Sequence, residues 1–132
     1  RDCVSCLVGS EMCIRDSSGG DGMILMGVVS GIDAFVSGHA NVVPELVVGL
    51  YRQAATGDLA VARALQQQLN RVRDLLEDGL NLSLFKAMLA CRGLAVGPVR
   101  PPLVQVSETI IAERWQALVA LNLELAAVEG YA

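Results

Sequence analysis

Apolar residues recur along the chain in helical rhythm, broken by glycines and prolines at regular intervals. Gly22–Ser30 is a short apolar segment that reads as a helix ended by Gly31. Ile32–Gly38 is apolar and bounded by glycines, which predicts a brief buried strand. Pro44 suits a first helical turn, where its missing N–H costs nothing. From there Leu46, Val47, Leu50 and Ala54 repeat at helical spacing until Gly57 closes the element. Asp58 can cap the next helix, whose core stripe is Ala62, Leu65, Leu69, Val72 and Leu76. Its opposite side carries Arg63, Gln66, Gln67, Asn70, Arg71 and Asp74 and reads as a solvated face. Leu82–Arg92 forms a further helix ended by Gly93. The run Gly97-Pro98-Val99-Arg100-Pro101-Pro102 must be an extended connector, because successive prolines forbid helix there. Ser107 is an N-cap for a last helix, with Glu108 near its positive end. Ile110, Ile111, Arg114, Trp115, Leu118, Leu121, Leu125 and Val128 carry that helix toward the terminus, and Trp115 reads as core.

Composition narrows the class. Of 132 residues, 53% are hydrophobic and 18% charged, with a net charge of −4. Such a chain can build a core and is not a disordered tail. Its ten basic residues are scattered and only 4% of positions are aromatic, so neither a phosphate-binding face nor base-stacking platforms are expected. No nucleic-acid partner is therefore predicted. The longest apolar stretch, Met23–Val36, is broken by Gly27, Ser30, Gly31 and Asp33 and falls short of the roughly 20 residues a membrane span needs.

Residues 1–17 stand apart. Cys6 to Ser17, read Cys-Leu-Val-Gly-Ser-Glu-Met-Cys-Ile-Arg-Asp-Ser, resembles a sequencing-library transposase adapter translated in one frame, and is expected to be unstructured. Setting it aside removes Cys3, Cys6 and Cys13, so a zinc site combining them with His39 is not expected. No metal and no cofactor is predicted. Cys91 then has no partner for an intrachain disulfide, which predicts a reducing, cytoplasmic setting, and its apolar context reads as a small core position. What remains is a turn, a helix, a strand and four helices. One strand cannot make a sheet, so the pattern leaves two options: a small helical interaction module without catalysis, or the end of something larger.

A specific match favours the second. Ser18-Gly19-Gly20-Asp21, followed by Gly31-Ile32-Asp33-Ala34-Phe35-Val36-Ser37-Gly38-His39-Ala40-Asn41-Val42-Val43-Pro44, resembles the dihydrodipicolinate synthase / N-acetylneuraminate lyase family. Leu50-Tyr51-Arg52, Gly57–Arg63, Asn81–Lys86, Gly93-Leu94 and Val99–Leu103 continue the resemblance in order, over nearly all of 18–132. It implies an α/β fold: the C-terminal part of a (β/α)8 TIM barrel, from the end of strand 7 to helix 8, followed by a helical extension, the piece itself being mostly α. The implied boundaries are 18–57 for the last βα units and 58–132 for the extension.

The family's members are class I Schiff-base lyases and aldolases acting on pyruvate or another 2-oxo acid. Their imine-forming lysine and proton-relaying tyrosine would both lie upstream of Ser18, so no catalytic residue is expected here. Arg15-Asp16-Ser17-Ser18-Gly19 imitates the family's lysine motif, but an arginine stays charged and forms no imine. Lys86, the only lysine, is expected to be structural or solvated. The resemblance carries over four substrate-binding candidates. Gly19 would present backbone groups, Val36 would face the pyruvate methyl, and Asp21 and Gly38 would meet the tail of longer substrates. Gly20 replaces the acidic residue common in the synthases. His39 replaces a small hydroxyl residue and reads as packing. Self-association of the intact parent is expected by analogy.

Overall fold

The computed structural model describes residues 17–123. Its elements run β1 (Ser17–Ser18), α1 (Ile24–Val29), β2 (Ala34–Phe35), α2 (Pro44–Thr56), α3 (Leu59–Leu75), α4 (Leu82–Cys91) and α5 (Glu108–Val119). Three 3₁₀ turns, Asp21–Met23, His39–Asn41 and Glu77–Gly79, link them. Of the segment 1–17 expected to be unstructured, Ser17 instead belongs to β1, held by its pairing with Ala34. Residues up to 16, with Cys3, Cys6 and Cys13, and the expected core positions Leu125 and Val128, lie outside the described residues.

The helix boundaries follow from local chemistry. Pro44 opens α2, and Gly57 ends it in the left-handed conformation at φ +88°, where a side chain would be strained. The carboxylate of Asp58 accepts from Val61 N–H and caps α3. Asn81 does the same for α4 through Leu84 N–H, and Ser107 for α5 through Ile110 N–H. Each satisfies a donor that the first helical turn leaves unpaired. The final helix stops at Val119, earlier than its apolar stripe predicts, and Asn122 stands at φ 50° between Leu121 and Leu123, which still pack against the core.

A parallel pair joins β1 to β2, Ser17 opposite Ala34 and Ser18 opposite Phe35, and Val36 N–H donates to Ser18 C=O at 2.8 Å. Parallel neighbours need a crossover connection, which α1 supplies. Gly27 permits the close packing of that crossover: a Cβ there would stand 2.4 Å from the Phe35 ring. The segment read as a lone buried strand is therefore one of two, and it is shorter than Ile32–Gly38. It is also not buried: Ala34 is exposed, Phe35 half-buried, and Val36 74% exposed. A parallel strand reads as apolar because neighbours and helices cover it on all sides. Here β2 pairs on one side only.

Beside this pair, α2 and α3 pack along their lengths and α1 lies against both. The core is Ile24, Leu50, Leu69, Val72, Leu76, Leu84, Met88 and Leu118, all 1% exposed or less. Trp115 is half-buried against this core. Cys91 departs from expectation. It is exposed at the last position of α4, where the helix end overhangs the core, and partial burial pushes its thiol pKa up.

The face of α3 read as solvated divides in two. Arg63, Gln67, Arg71 and Asp74 are exposed, but Gln66 is buried. Its Nε2 donates to Asp21 C=O at 3.0 Å and its Oε1 accepts from Leu25 N–H at 3.1 Å. It thereby fills an orphan donor at the start of α1. Gln66→Leu, close in volume, strands both backbone groups and is expected to lower stability by about 1–3 kcal/mol. Gln67→Leu, one position along, should change it by less than about 0.5 kcal/mol. Urea denaturation of the two variants checks this, and equal midpoints would refute it.

Candidate functional site

In a parallel α/β unit the loops after the strands carry the chemistry. Here those loops are Gly19–Met23 after β1 and Val36–Asn41 after β2, and all four sequence candidates lie in them. Gly19, Val36 and Gly38 are exposed. Gly19 stands beside the carbonyl of Val36, 3.8 Å from where its own Cβ would lie, so backbone groups of the two loops face one another. The fourth candidate behaves differently.

Asp21 is only 8% exposed. Its Oδ2 accepts from His39 Nδ1–H at 2.5 Å and from His39 backbone N–H at 3.4 Å. A carboxylate can only accept, so the imidazole proton on this contact belongs to Nδ1. Burial raises the carboxyl pKa, but the hydrogen bonds from the His39 side chain, the nearby Ser37 hydroxyl and the His39 backbone outweigh it, and the net value is lowered. His39 is 3% exposed and meets Phe85 edge-on, ring centroids 5.1 Å apart. Asp21 thus ties the loop after β1 to the loop after β2, and through its carbonyl to Gln66 of α3. Nothing in the residue pattern signals this tie, because Asp21 and His39 are eighteen positions apart and meet only when the strands pair.

A second polar tie fixes the far side of the same loop. Arg92, just past α4, makes a bidentate pair with Glu45 in the first turn of α2, at 3.1 Å and 2.5 Å. It also donates to Val42 C=O. Tyr51 donates to Asp33 C=O at 2.7 Å and packs edge-on to Phe35, which anchors β2 to α2. These half-buried residues hold the loops in place.

Beside Gly38 a cavity of about 490 Å³ opens between the β2 loop, α4 and the proline-rich connector. Lys86 lines it, half-buried, with Nζ donating to Pro98 C=O at 2.7 Å. No carboxylate or imidazole is paired with that amine among the described residues. No group of three or more His, Cys, Asp or Glu that could hold a metal occurs among the described residues. No described helix is long and apolar enough to cross a membrane.

The lowered Asp21 pKa has a definite sign. A carboxyl that holds its charge more firmly folded than unfolded adds stability in full above its ordinary value of 3.8. That stability is lost as pH falls through the lower folded value. Asp21→Asn should therefore cost a constant amount at neutral pH, and the gap to wild type should close in acid. Denaturant midpoints across pH check this; a gap that widens in acid would contradict it.

Comparison with known proteins agrees with this architecture. The profile of the Dihydrodipicolinate synthetase family matches residues 4–121, a span that begins inside the adapter-like segment. An uncharacterized DapA-like lyase of Halobacterium salinarum is 43% identical over 86 residues, covering 65% of this chain and 28% of that protein. The 4-hydroxy-tetrahydrodipicolinate synthase of Anaeromyxobacter dehalogenans is 35% identical over 109 residues, covering 83% of this chain and 37% of that one. Among solved structures, YagE, a prophage protein of the dihydrodipicolinic acid synthase family from E. coli K12 in complex with pyruvate, superposes with a TM-score of 0.70. It is 25% identical, over 80% of this chain and 36% of that one. The chain thus spans about a third of the length of the relatives it matches. By the family profile, which matches most of its length, the chain belongs to the dihydrodipicolinate synthetase family.

Proposed function

We propose that this chain is the C-terminal part of a pyruvate-dependent Schiff-base lyase: the end of strand 7 through helix 8 of a (β/α)8 barrel in residues 18–57, then a helical extension in 58–132. The observation that carries the reading is the parallel register of Ser17–Ser18 on Ala34–Phe35 across a helical crossover. That is the repeating unit of such a barrel, and β1 and β2 leave outer edges for further strands. Met26 and Val29 of α1, with Met23 just before it, form an exposed apolar stripe with the character of a face that a preceding helix would cover.

In the intact parent the reaction runs through a lysine amine upstream of Ser18. The amine adds to the carbonyl of pyruvate, water leaves, and the iminium loses a proton to give an enamine that attacks an aldehyde carbon. Cleavage of a longer 2-oxo acid is the reverse. This chain supplies part of the rim: Gly19 through backbone groups, Val36 as an apolar wall, and Gly38 as open space for a substrate tail. Asp21 acts on that rim chiefly as a positioning residue, since His39 takes up one carboxylate oxygen. The chain holds neither the imine-forming lysine nor the relaying tyrosine, and by itself it is inactive. The parent self-associates and works in the cytoplasm, a setting supported by the single cysteine beyond residue 17.

Borohydride reduction of the full-length protein with pyruvate should leave a covalent adduct on a lysine upstream of Ser18. No adduct, or an adduct on Lys86, would overturn the reading. The 132-residue chain treated in the same way should remain unmodified and turn over no 2-oxo acid.

A further inference from the structure

The cavity beside Gly38 is built from three parts of the chain. Leu82, Phe85 and Leu89 of α4 give one apolar wall, and Val99 and Leu103 of the connector give the other. Gly38 and Gly79, which carry no side chains, also line it. Its volume of about 490 Å³ is that of a small-molecule site. Leu82 and Leu103 remain 55% and 48% exposed, so the apolar walls continue outward.

Lys86 of α4 and Arg100 of the connector both line this apolar space, and no carboxylate does; the Lys86 amine reaches Pro98 at the edge toward a neighbouring cavity. The nearest acids in sequence, Glu77 and Asp78 beside Gly79, are engaged elsewhere: Glu77 accepts from Asn81 at 3.1 Å, and Asp78 pairs with Arg73. An ammonium has three donors. Pro98 C=O takes one from Lys86 and leaves two. In a chain of net charge −4, a pair of cations over an apolar cleft is a specific arrangement. Lys86 is half-buried and Arg100 exposed at the rim, and cations beside an apolar wall favour an anion that brings its own apolar surface.

We propose that this cavity binds a small organic carboxylate with an apolar body, a short-chain or aryl carboxylate, its charge between Lys86 and Arg100 and its body against Phe85 and Leu89. The site is built wholly from the described residues. It requires no Schiff-base chemistry, and its test reads binding rather than turnover, so the lyase reading can fail while this one stands.

The test is a titration of the 132-residue chain with hexanoate, followed by NMR at the Phe85 ring and the Lys86 and Leu89 amides. Hexanol and inorganic phosphate serve as the apolar-only and charge-only probes. Hexanoate should shift these signals saturably, and both controls should bind at least about tenfold more weakly. Arg100→Ala, on an exposed connector, and Lys86→Met should each weaken hexanoate about tenfold. Leu103→Trp, which fills the cleft from its rim, should abolish binding. Where the chain self-associates too strongly for NMR, the same titration on the full-length protein, read calorimetrically, applies the same criteria. Equal affinity for hexanol and hexanoate, wild-type affinity in both cation variants, or no saturable response would each overturn the proposal.

Discussion

A carboxylate withdrawn from water must find donors, and Asp21 finds them on a segment the chain reaches only after a helical crossover. Its side chain holds His39 by ring and backbone, while its carbonyl holds Gln66. Three separate pieces, the loop after β1, the loop after β2 and the long helix α3, therefore converge on one residue. Buried polar groups are costly to leave unpaired: Asp21 Oδ2 is engaged by His39 and the Asp21 carbonyl by Gln66. Asp21 Oδ1 and His39 Nε2 have no hydrogen-bond partner among the described residues, so the contacts that are made hold the knot together. The relative position of the two strand ends follows from it. The two-residue ladder between β1 and β2 is too short to fix that geometry unaided.

The knot also explains why the loops differ in openness. Where backbone and side chains serve the tie, at Asp21 and His39, the chain is closed. Where they do not, at Gly19, Val36 and Gly38, it is open. Arg92 and Glu45 brace the loop after β2 from behind, and Tyr51 braces β2 itself. The result is a firm frame carrying a few exposed positions, Gly19, Val36 and Gly38.

Much of this frame was legible in the residues, and its failures share a cause. Caps at Asp58 and Ser107 and stops at Gly31, Gly57 and Gly93 are local chemistry, and those helix ends fall where that chemistry directs, whereas the residue pattern does not single out the Asn81 cap of α4. The helical stripe Ala62, Leu69, Val72, Leu76 is buried as its period requires. What escaped is non-local. The stripe containing Gln66 has the period of a solvated face, and only the return of Asp21 and Leu25 to that helix makes it interior. The partner strand at Ser17–Ser18 has no apolar signature, being two serines before a glycine turn. Cys91 sits among apolar residues, yet at a helix end those neighbours do not enclose it. The family resemblance, by contrast, was readable because turn residues at fixed spacings preserve the loops of a fold even where a strand is short.

The account rests on Asp21, His39 and Gln66 closing as one buried unit. Amide hydrogen exchange at Leu25 and His39 tests this most directly, since these N–H groups donate into the knot from opposite sides. The account predicts that both exchange slowly and open together with one shared free energy. Free-peptide rates at either amide, or protection at one without the other, would contradict it.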